Sequence, residues 1–373
     1  MKEIYLDNAA TTKVCKEVAE KVYDVMTNFY GNPSSRHSRG LEASKIIFDA
    51  RNLVANTISA EPENVIFTSG GTESNNLAIL GSVDLKFSKN KNIITSAVEH
   101  SSVMENIKKL ESIGFKVYYV KPNFNGDIVP EDIWNLVDKD TVLVSIMHVN
   151  NETGNIYDVK QIAKGVRHKN KNTIIHSDGV QAFGKMKVNV INLDVDLYSF
   201  SGHKIYAPKG IGGLYIKKGV KIKPVIIGGH QEFGYRCGTE NVAGIAGLGK
   251  ACELINLEED LKYIKKLNTL LISELSQINN VHINSVGSLL PYVLNFSIVG
   301  QKSEIILNKL QEKNIFISNG SACSKGEKSK ALKGMGLEDK YIDSAIRVSL
   351  SKYNTYNDIV DFNAQIKYLA GHM

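Results

Sequence analysis

No apolar run in this chain approaches the roughly 18 residues that a membrane span requires; the strongest, 142–147, is only strand-sized. Nor do Met1 and the Ile4-Tyr5-Leu6-Asp7 that follows leave room for a secretory leader, so the expected setting is cytoplasmic. Cysteine is scarce. Cys15, Cys237, Cys252 and Cys323 form no Cys-x-x-Cys pair, which argues against a zinc site or a disulfide framework and leaves each thiol to packing or to chemistry. No metal is expected. A long block of one charge is also missing: 45 Lys and Arg stand against 39 Asp and Glu, a net +6. Short tracts such as Lys89-Asn90-Lys91-Asn92 read as solvated loops rather than a nucleic-acid surface. Internal repeats and low-complexity segments are absent too.

What is present is an ordinary globular composition, 43% hydrophobic and 23% charged over 373 residues, with enough chain for more than one domain. Val14, Val18, Val22 and Met26 recur at helical spacing over 13–29. A second helix is predicted over 38–58, with Leu41, Ile47, Ala50, Leu53 and Val54 as its buried stripe. Beyond it, strand-like runs at 65–68, 93–95, 117–120, 141–147, 173–177, 197–200 and 213–216 alternate with helical stretches. Among these are 101–113, closed by Gly114, and 158–168, opened by Asp158. Such alternation predicts an α/β fold with a mostly parallel seven-stranded sheet covered on both faces. Near Glu258 the pattern changes to a long charged helix and a shorter α+β segment. The expected division is a large domain at 15–257 and a small domain formed by 1–14 with 258–373.

Four features fall at the carboxyl ends of strands predicted for one sheet. In Thr68-Ser69-Gly70-Gly71-Thr72-Glu73-Ser74-Asn75-Asn76 a strand ends in a glycine pair that opens a helix, a turn suited to a phosphate. Glu99-His100-Ser101 offers a histidine able to stack on a planar group and to move protons. His176-Ser177-Asp178-Gly179-Val180-Gln181 offers an acid able to pair with a protonated ring nitrogen. Ser199-Phe200-Ser201-Gly202-His203-Lys204 places a lysine where desolvation would lower its pKa and favour a Schiff base. Alone, each is an ordinary loop residue. Together they match the needs of one molecule, a phosphorylated pyridine aldehyde.

At this point the sequence resembles the cysteine desulfurases of the class V pyridoxal-phosphate-dependent aminotransferases, of the NifS/IscS-like group. The resemblance rests on Tyr5-Leu6-Asp7-Asn8-Ala9-Ala10-Thr11-Thr12, Gly31-Asn32-Pro33-Ser34-Ser35, the 68–76 motif and Met147-His148-Val149-Asn150-Asn151-Glu152-Thr153-Gly154. It continues through 199–213, Arg236-Cys237-Gly238-Thr239-Glu240-Asn241, Gly320-Ser321-Ala322-Cys323-Ser324 and Ile346-Arg347-Val348-Ser349-Leu350, nearly the whole chain. It implies fold-type I with pyridoxal 5'-phosphate as cofactor. It further implies that Lys204 anchors the cofactor, that Asp178 pairs with its ring nitrogen and that His100 stacks on the ring and serves catalysis. Gln181 and Asn151 would lie around the ring hydroxyl and substrate. Gly71, Thr72, Ser201 and His203 would hold the phosphate, with Thr239 reaching it from the other subunit of a homodimer. Arg347, with Asn151, would bind the carboxylate of L-cysteine, and Cys323 would be the nucleophile that carries sulfur to a protein acceptor. The expected products are alanine and a persulfide, for iron–sulfur cluster assembly or transfer-RNA thiolation. A selenocysteine lyase or plain aminotransferase on the same scaffold is the rival activity; a cofactor-binding protein without turnover is the rival of another class.

Cys323 sits in a polar stretch with Lys325, Lys328, Lys330 and Lys333 near it, a setting that favours a thiolate. The other three cysteines read as packing. Two local departures from the group are His230 within Gly228-Gly229-His230-Gln231-Glu232, where a third glycine is commoner, and the short stretch from Cys323 to Gly334-Met335-Gly336.

Overall fold

The computed structural model describes residues 2–83, 90–319 and 328–371. Strand β1 (Ile4–Tyr5) precedes two helices, α1 (Lys16–Asn28) and α2 (Ser38–Thr57). Strand and helix then alternate through β2 (Val65–Thr68), α3 (Gly71–Ser82), β3 (Asn92–Ser96), α4 (Ser101–Ser112), β4 (Lys116–Val120) and α5 (Pro130–Trp134). The alternation continues with β5 (Thr141–Ser145), α6 (Val159–Lys169), β6 (Ile174–Asp178), α7 (Val190–Leu193), β7 (Leu197–Ser201) and β8 (Gly212–Ile216). Helices α8 (Val242–Glu253) and α9 (Leu257–Leu275) lead into β9 (Val281–Ile283), β10 (Val293–Ile298), α10 (Ser303–Glu312) and β11 (Ile315–Phe316). The chain closes with α11 (Lys330–Gly334), α12 (Asp339–Ile342), β12 (Ala345–Ser349) and α13 (Tyr356–Gly371).

Strands β2 to β8 form one seven-stranded sheet in the order β2-β8-β7-β6-β5-β3-β4, parallel except for β8, which runs against both its neighbours. The fold is the α/β, mostly parallel architecture of fold-type I. Strands β3, β5 and β7 are buried along nearly their whole length, on both faces of the sheet. The chain leaves β3 toward β4 on one side and returns to β5 on the other. Such a reversal opens a crevice beyond the strand ends, where ligands of open α/β sheets bind. A smaller antiparallel sheet, β12-β10-β9, stands beside it. β1 pairs with β11, and Asp7 bridges to Ser349, so the first residues lie against the last strand of this smaller layer.

Each of the seven predicted strands is found within one or two residues at either end. Helix α6 is capped as expected, Asp158 accepting from the Gln161 N–H at 2.9 Å. Two expected stripe residues are corrected. Leu41 and Met26 are 61% and 66% exposed. In α2 the buried residues are Gly40, Ala43, Ile47, Ala50, Arg51, Val54 and Ala55: the expected Ile47, Ala50 and Val54 stand among small residues and one arginine that apolar spacing does not flag. In α1 the inward positions are Val18 and Val25. Among the described residues no helix is long and apolar enough to cross a membrane.

The inward-facing Arg51 has a specific task. Its two terminal nitrogens grip Glu232 at 2.8 and 2.6 Å, and one also donates to the Val65 carbonyl at 2.6 Å. Glu232 in turn accepts from the Phe67 N–H at 2.7 Å. Glu232 and Phe233 adopt left-handed backbone, an uncommon conformation for residues with a Cβ, and the ion pair helps hold them there. Arg51→Ala should therefore destabilise the fold by about 3–5 kcal/mol, because a buried carboxylate loses its partner. Urea unfolding checks this; a change below 1 kcal/mol would contradict it.

Candidate active site

The carboxyl ends of the parallel strands open onto a cavity of about 760 Å³. At one end, β2 stops at Thr68, whose hydroxyl pairs with that of Ser74 at 2.8 Å, and α3 begins at Gly71. The first N–H groups of a helix lack partners within it and carry its positive dipole end, a fit for an anion. Gly71 is needed there: a Cβ would come 2.7 Å from the Val180 side chain. Gly71, Thr72, Ser201 and His203 all line this end. Burial, followed by the nearby Lys204 and Lys209, pushes His203 down to about 4, so the ring is neutral; its Nδ1 lies 3.1 Å from the Thr11 hydroxyl. Glu73, in the first turn of α3, pairs with Arg236 at 3.0 Å and accepts from the Ser69 N–H at 2.9 Å. That pair fastens the segment leading to Thr239. Thr239 itself is exposed and does not line the cavity of its own chain.

Asp178 closes β6 and is 5% exposed. One carboxylate oxygen accepts from the Val180 N–H at 3.0 Å and the other from Asn75 at 2.8 Å. Asn75 also donates to the Ser102 hydroxyl at 2.8 Å, and that hydroxyl lies 2.8 Å from Nδ1 of His100. The Ser102 N–H points at the same Nδ1 at 3.1 Å, which makes Nδ1 an acceptor and, in the neutral ring, puts the proton on Nε2. His100 caps α4, so its ring is oriented by the first turn of the helix it opens. Asn75 and Ser102 had no assigned role in the sequence reading. Asn75 lies inside the 68–76 motif, and only the crossing of α3 and α4 brings it to Ser102.

Lys204 follows β7 in a single 3-10 turn. Its amine donates to the carbonyls of Ala9 and Ala10 at 2.7 and 2.6 Å, so the N-terminal segment lies across the lysine. Gln181 donates to the same Ala9 carbonyl at 3.0 Å. On the opposite wall, β12 delivers Arg347. Its guanidinium is 2% exposed, donates to the Asn151 carbonyl at 2.9 Å and pairs with Asp7 at 2.8 Å, while Nε has no hydrogen-bond partner among the described residues. Asp7, like Asn75, lies in a motif whose local pattern does not disclose this partner. Cys323 lies outside the described residues, as do Gly320 and Gly326. Cys15, Cys237 and Cys252 are free and buried.

Two acids in the cavity wall went unassigned in the sequence reading. Glu152 accepts from the Ser329 hydroxyl, and burial raises its pKa. Glu99 is 6% exposed; one oxygen accepts from Ser96 at 2.6 Å and the Met147 N–H at 2.9 Å, and the other has no partner among the described residues. Burial pushes the Glu99 carboxyl up to about 8. The folded chain thus holds this proton more tightly than the unfolded one, and the associated stability is lost as pH rises from about 4.5 towards 8. Wild type should lose stability relative to Glu99→Gln across that window in urea titrations. A difference that does not change with pH would refute a protonated Glu99.

The cavity therefore offers an anion site at a helix start, a fixed carboxylate, an oriented imidazole, an amine and a guanidinium. The family described as aminotransferase class-V matches residues 4–362. A curated relative, the cysteine desulfurase IscS of Dictyoglomus turgidum, is 43% identical over 364 residues, covering 96% of this chain and 92% of that relative. A solved structure titled a NifS-like protein superposes with a TM-score of 0.94 at 38% identity, covering all of both chains. Another, titled SspA in complex with cysteine, gives 0.84 at 32% identity over 95% of this chain and all of that one. The chain belongs to the class-V aminotransferase family, in its NifS/IscS-like cysteine desulfurase group.

Proposed function

We propose that this chain is a pyridoxal-phosphate-dependent cysteine desulfurase that moves sulfur from L-cysteine to Cys323 and on to a protein acceptor. The observation that carries the reading is that Lys204, Asp178, His100, the start of α3 and Arg347 all face one cavity. This donor set fits the cofactor on its own chemistry. The α3 start with Ser201 and His203 suits a phosphate, the carboxylate of Asp178 suits a protonated ring nitrogen, and Lys204 suits an aldehyde.

Once bound, the cofactor supplies an electron sink for charge developing at the substrate α-carbon. The protein residues do the rest. Arg347 and Asn151 hold the substrate carboxylate and so fix which bond is presented for cleavage. Lys204, freed when substrate takes its place, and His100 with its proton on Nε2 are the groups placed to move protons. The thiolate of Cys323 attacks the substrate sulfur; a sulfur–sulfur bond forms as the carbon–sulfur bond breaks, its electron pair staying on carbon. Protonation of that carbon gives alanine, and the protein keeps a persulfide.

A homodimer completes the proposal. Phe233 is 60% exposed, and Tyr23, Met26, Leu41 and Phe48 on α1 and α2 are also exposed. Both helices pack on α8, and Phe233 lies against Arg51 of α2, so these side chains belong to one region of the surface. So much apolar surface is characteristic of an interface, and Thr239, turned from its own cavity, would serve the partner's. The free cysteines fit a reducing, cytoplasmic setting. The acceptor belongs to iron–sulfur cluster assembly or transfer-RNA thiolation.

Arg347→Ala should weaken use of cysteine by about 2–4 kcal/mol in kcat/KM, through loss of a charge-assisted pair with the carboxylate. An unchanged dependence on cysteine concentration would count against it. Sulfur-labelled cysteine tests the whole reading: label should pass through Cys323 to an acceptor protein with one alanine released per sulfur. Amino-group transfer to a keto acid without persulfide would replace the reading with a plain aminotransferase.

A further inference from the structure

Lys185 is 6% exposed, yet it forms no ion pair with a carboxylate among the described residues. Its amine donates to Oε1 of Gln181 at 3.0 Å and lies 5.8 Å from the centre of the Tyr292 ring. Lysine is among the residues least often buried without a partner, because its ammonium is costly to take from water. Burial, then the charges of Lys204 and Arg347, push its pKa down to about 7. Behind it, a small enclosed space of about 10 Å³ is shared with Lys204, Tyr206, Asp260, Lys352 and Tyr353. Of these, Asp260 is already engaged by Lys352 at 3.4 Å.

The geometry is informative at Gln181. An amide has one acceptor end and one donor end, and the two are interchangeable until a neighbour decides. As an ammonium Lys185 can only donate, which calls for Oε1, and the Ala9 carbonyl can only accept, which calls for Nε2. These two contacts fix the amide. Nε2 has a second hydrogen, and Gln181 lines the main cavity beside Lys204.

We propose that Lys185 is a positioning residue: it locks the Gln181 amide so that an N–H, and not the carbonyl, faces the cofactor oxygen next to Lys204. The inference rests on the reading of Lys204 as the cofactor anchor. An N–H donor draws electron density from that oxygen, which otherwise shares the proton of the adjacent nitrogen. Without Lys185 the Oε1 end loses its donor and only the Ala9 carbonyl orients the amide, so its N–H is held less firmly on the cofactor oxygen, that oxygen binds the proton more strongly, and the nitrogen at Lys204 stays protonated to higher pH.

The experiment is a pH titration of the visible absorbance of the cofactor-loaded protein, without substrate, for wild type, Lys185→Met, Gln181→Ala and the double variant. Lys185→Met should raise the midpoint by about one pH unit, a shift equivalent to one hydrogen bond. In the Gln181→Ala background the same substitution should have no effect, because the group through which it acts is gone. No shift in the first comparison, or an equal shift in both, overturns the proposal; the second result would also follow from a purely structural or long-range electrostatic role. Borohydride reduction of wild type followed by peptide mapping separates the failures. If the label is not on Lys204, the anchor reading fails; if it is on Lys204 and the midpoints do not behave as stated, only the role of Lys185 fails.

Discussion

Lys204→Ala protein should be unable to hold the cofactor covalently: after borohydride treatment and denaturation, the wild type retains the chromophore on the peptide containing residue 204 and the variant does not. The phosphate end can still bind, because Gly71 and Thr72 of α3, Ser201 of β7 and His203 are untouched. Turnover of cysteine should fall by at least about 10²–10⁴-fold, the range expected from losing one positioned proton-transfer group, before any cost of slower substrate exchange is counted. The fold should survive, since the segment whose two backbone carbonyls accept from Lys204 is also held by Thr12 on the His203 carbonyl at 3.0 Å. Full activity in this variant would remove the basis of the proposed function.

Cys323→Ser should divide the reaction in two. Binding of the cofactor depends on Lys204, Asp178 and the α3 start, all intact, so the variant should keep the wild-type spectrum and still change it on adding cysteine. Serine is a far poorer nucleophile toward sulfur at neutral pH than a thiolate, so persulfide formation and steady alanine release should both drop to background. Mass spectrometry of wild type treated with labelled cysteine locates the sulfur. Cys15 and Cys237 are buried, and burial also pushes the Cys252 thiol up to about 12, far from the reactive thiolate form. Label on any of these three would displace Cys323 as the nucleophile.

Asn75 shows where sequence reading stopped. It lies within a motif whose glycine turn was legible, because a strand, a glycine pair and a helix start are local features. Its bond to Asp178, 103 positions away, depends on α3 crossing the end of β6, and no local pattern encodes that distance. Leu41 shows the opposite error. Its hydropathy suggested burial, but the α2 face turned inward is the one whose small side chains let α8 approach; at Gly249 a Cβ would come 2.7 Å from that of Ala50. Close helix contact selects small residues, and hydropathy alone does not register size.

By itself the sequence determined the order of strands and helices, the mostly parallel sheet, and which loops carry Lys204, His100, Asp178 and the glycine turn. These follow from short-range rules: a strand buried on both faces must be a run of apolar residues, and a turn must carry residues able to make it. Only the tertiary structure decided the partners. Asn75 on Asp178 and on Ser102, Asp7 on Arg347, the Arg51–Glu232 clamp and Glu99 on the Met147 N–H join groups from separate elements, whereas Lys185 and Gln181 are near in the chain. Hydrogen bonds and ion pairs act over about 3 Å, whereas the chain positions that meet there are set by the packing of whole layers. Even Lys185, only four residues from Gln181, acquires its character from burial beside Lys204 and Arg347, and burial is a property of the folded chain.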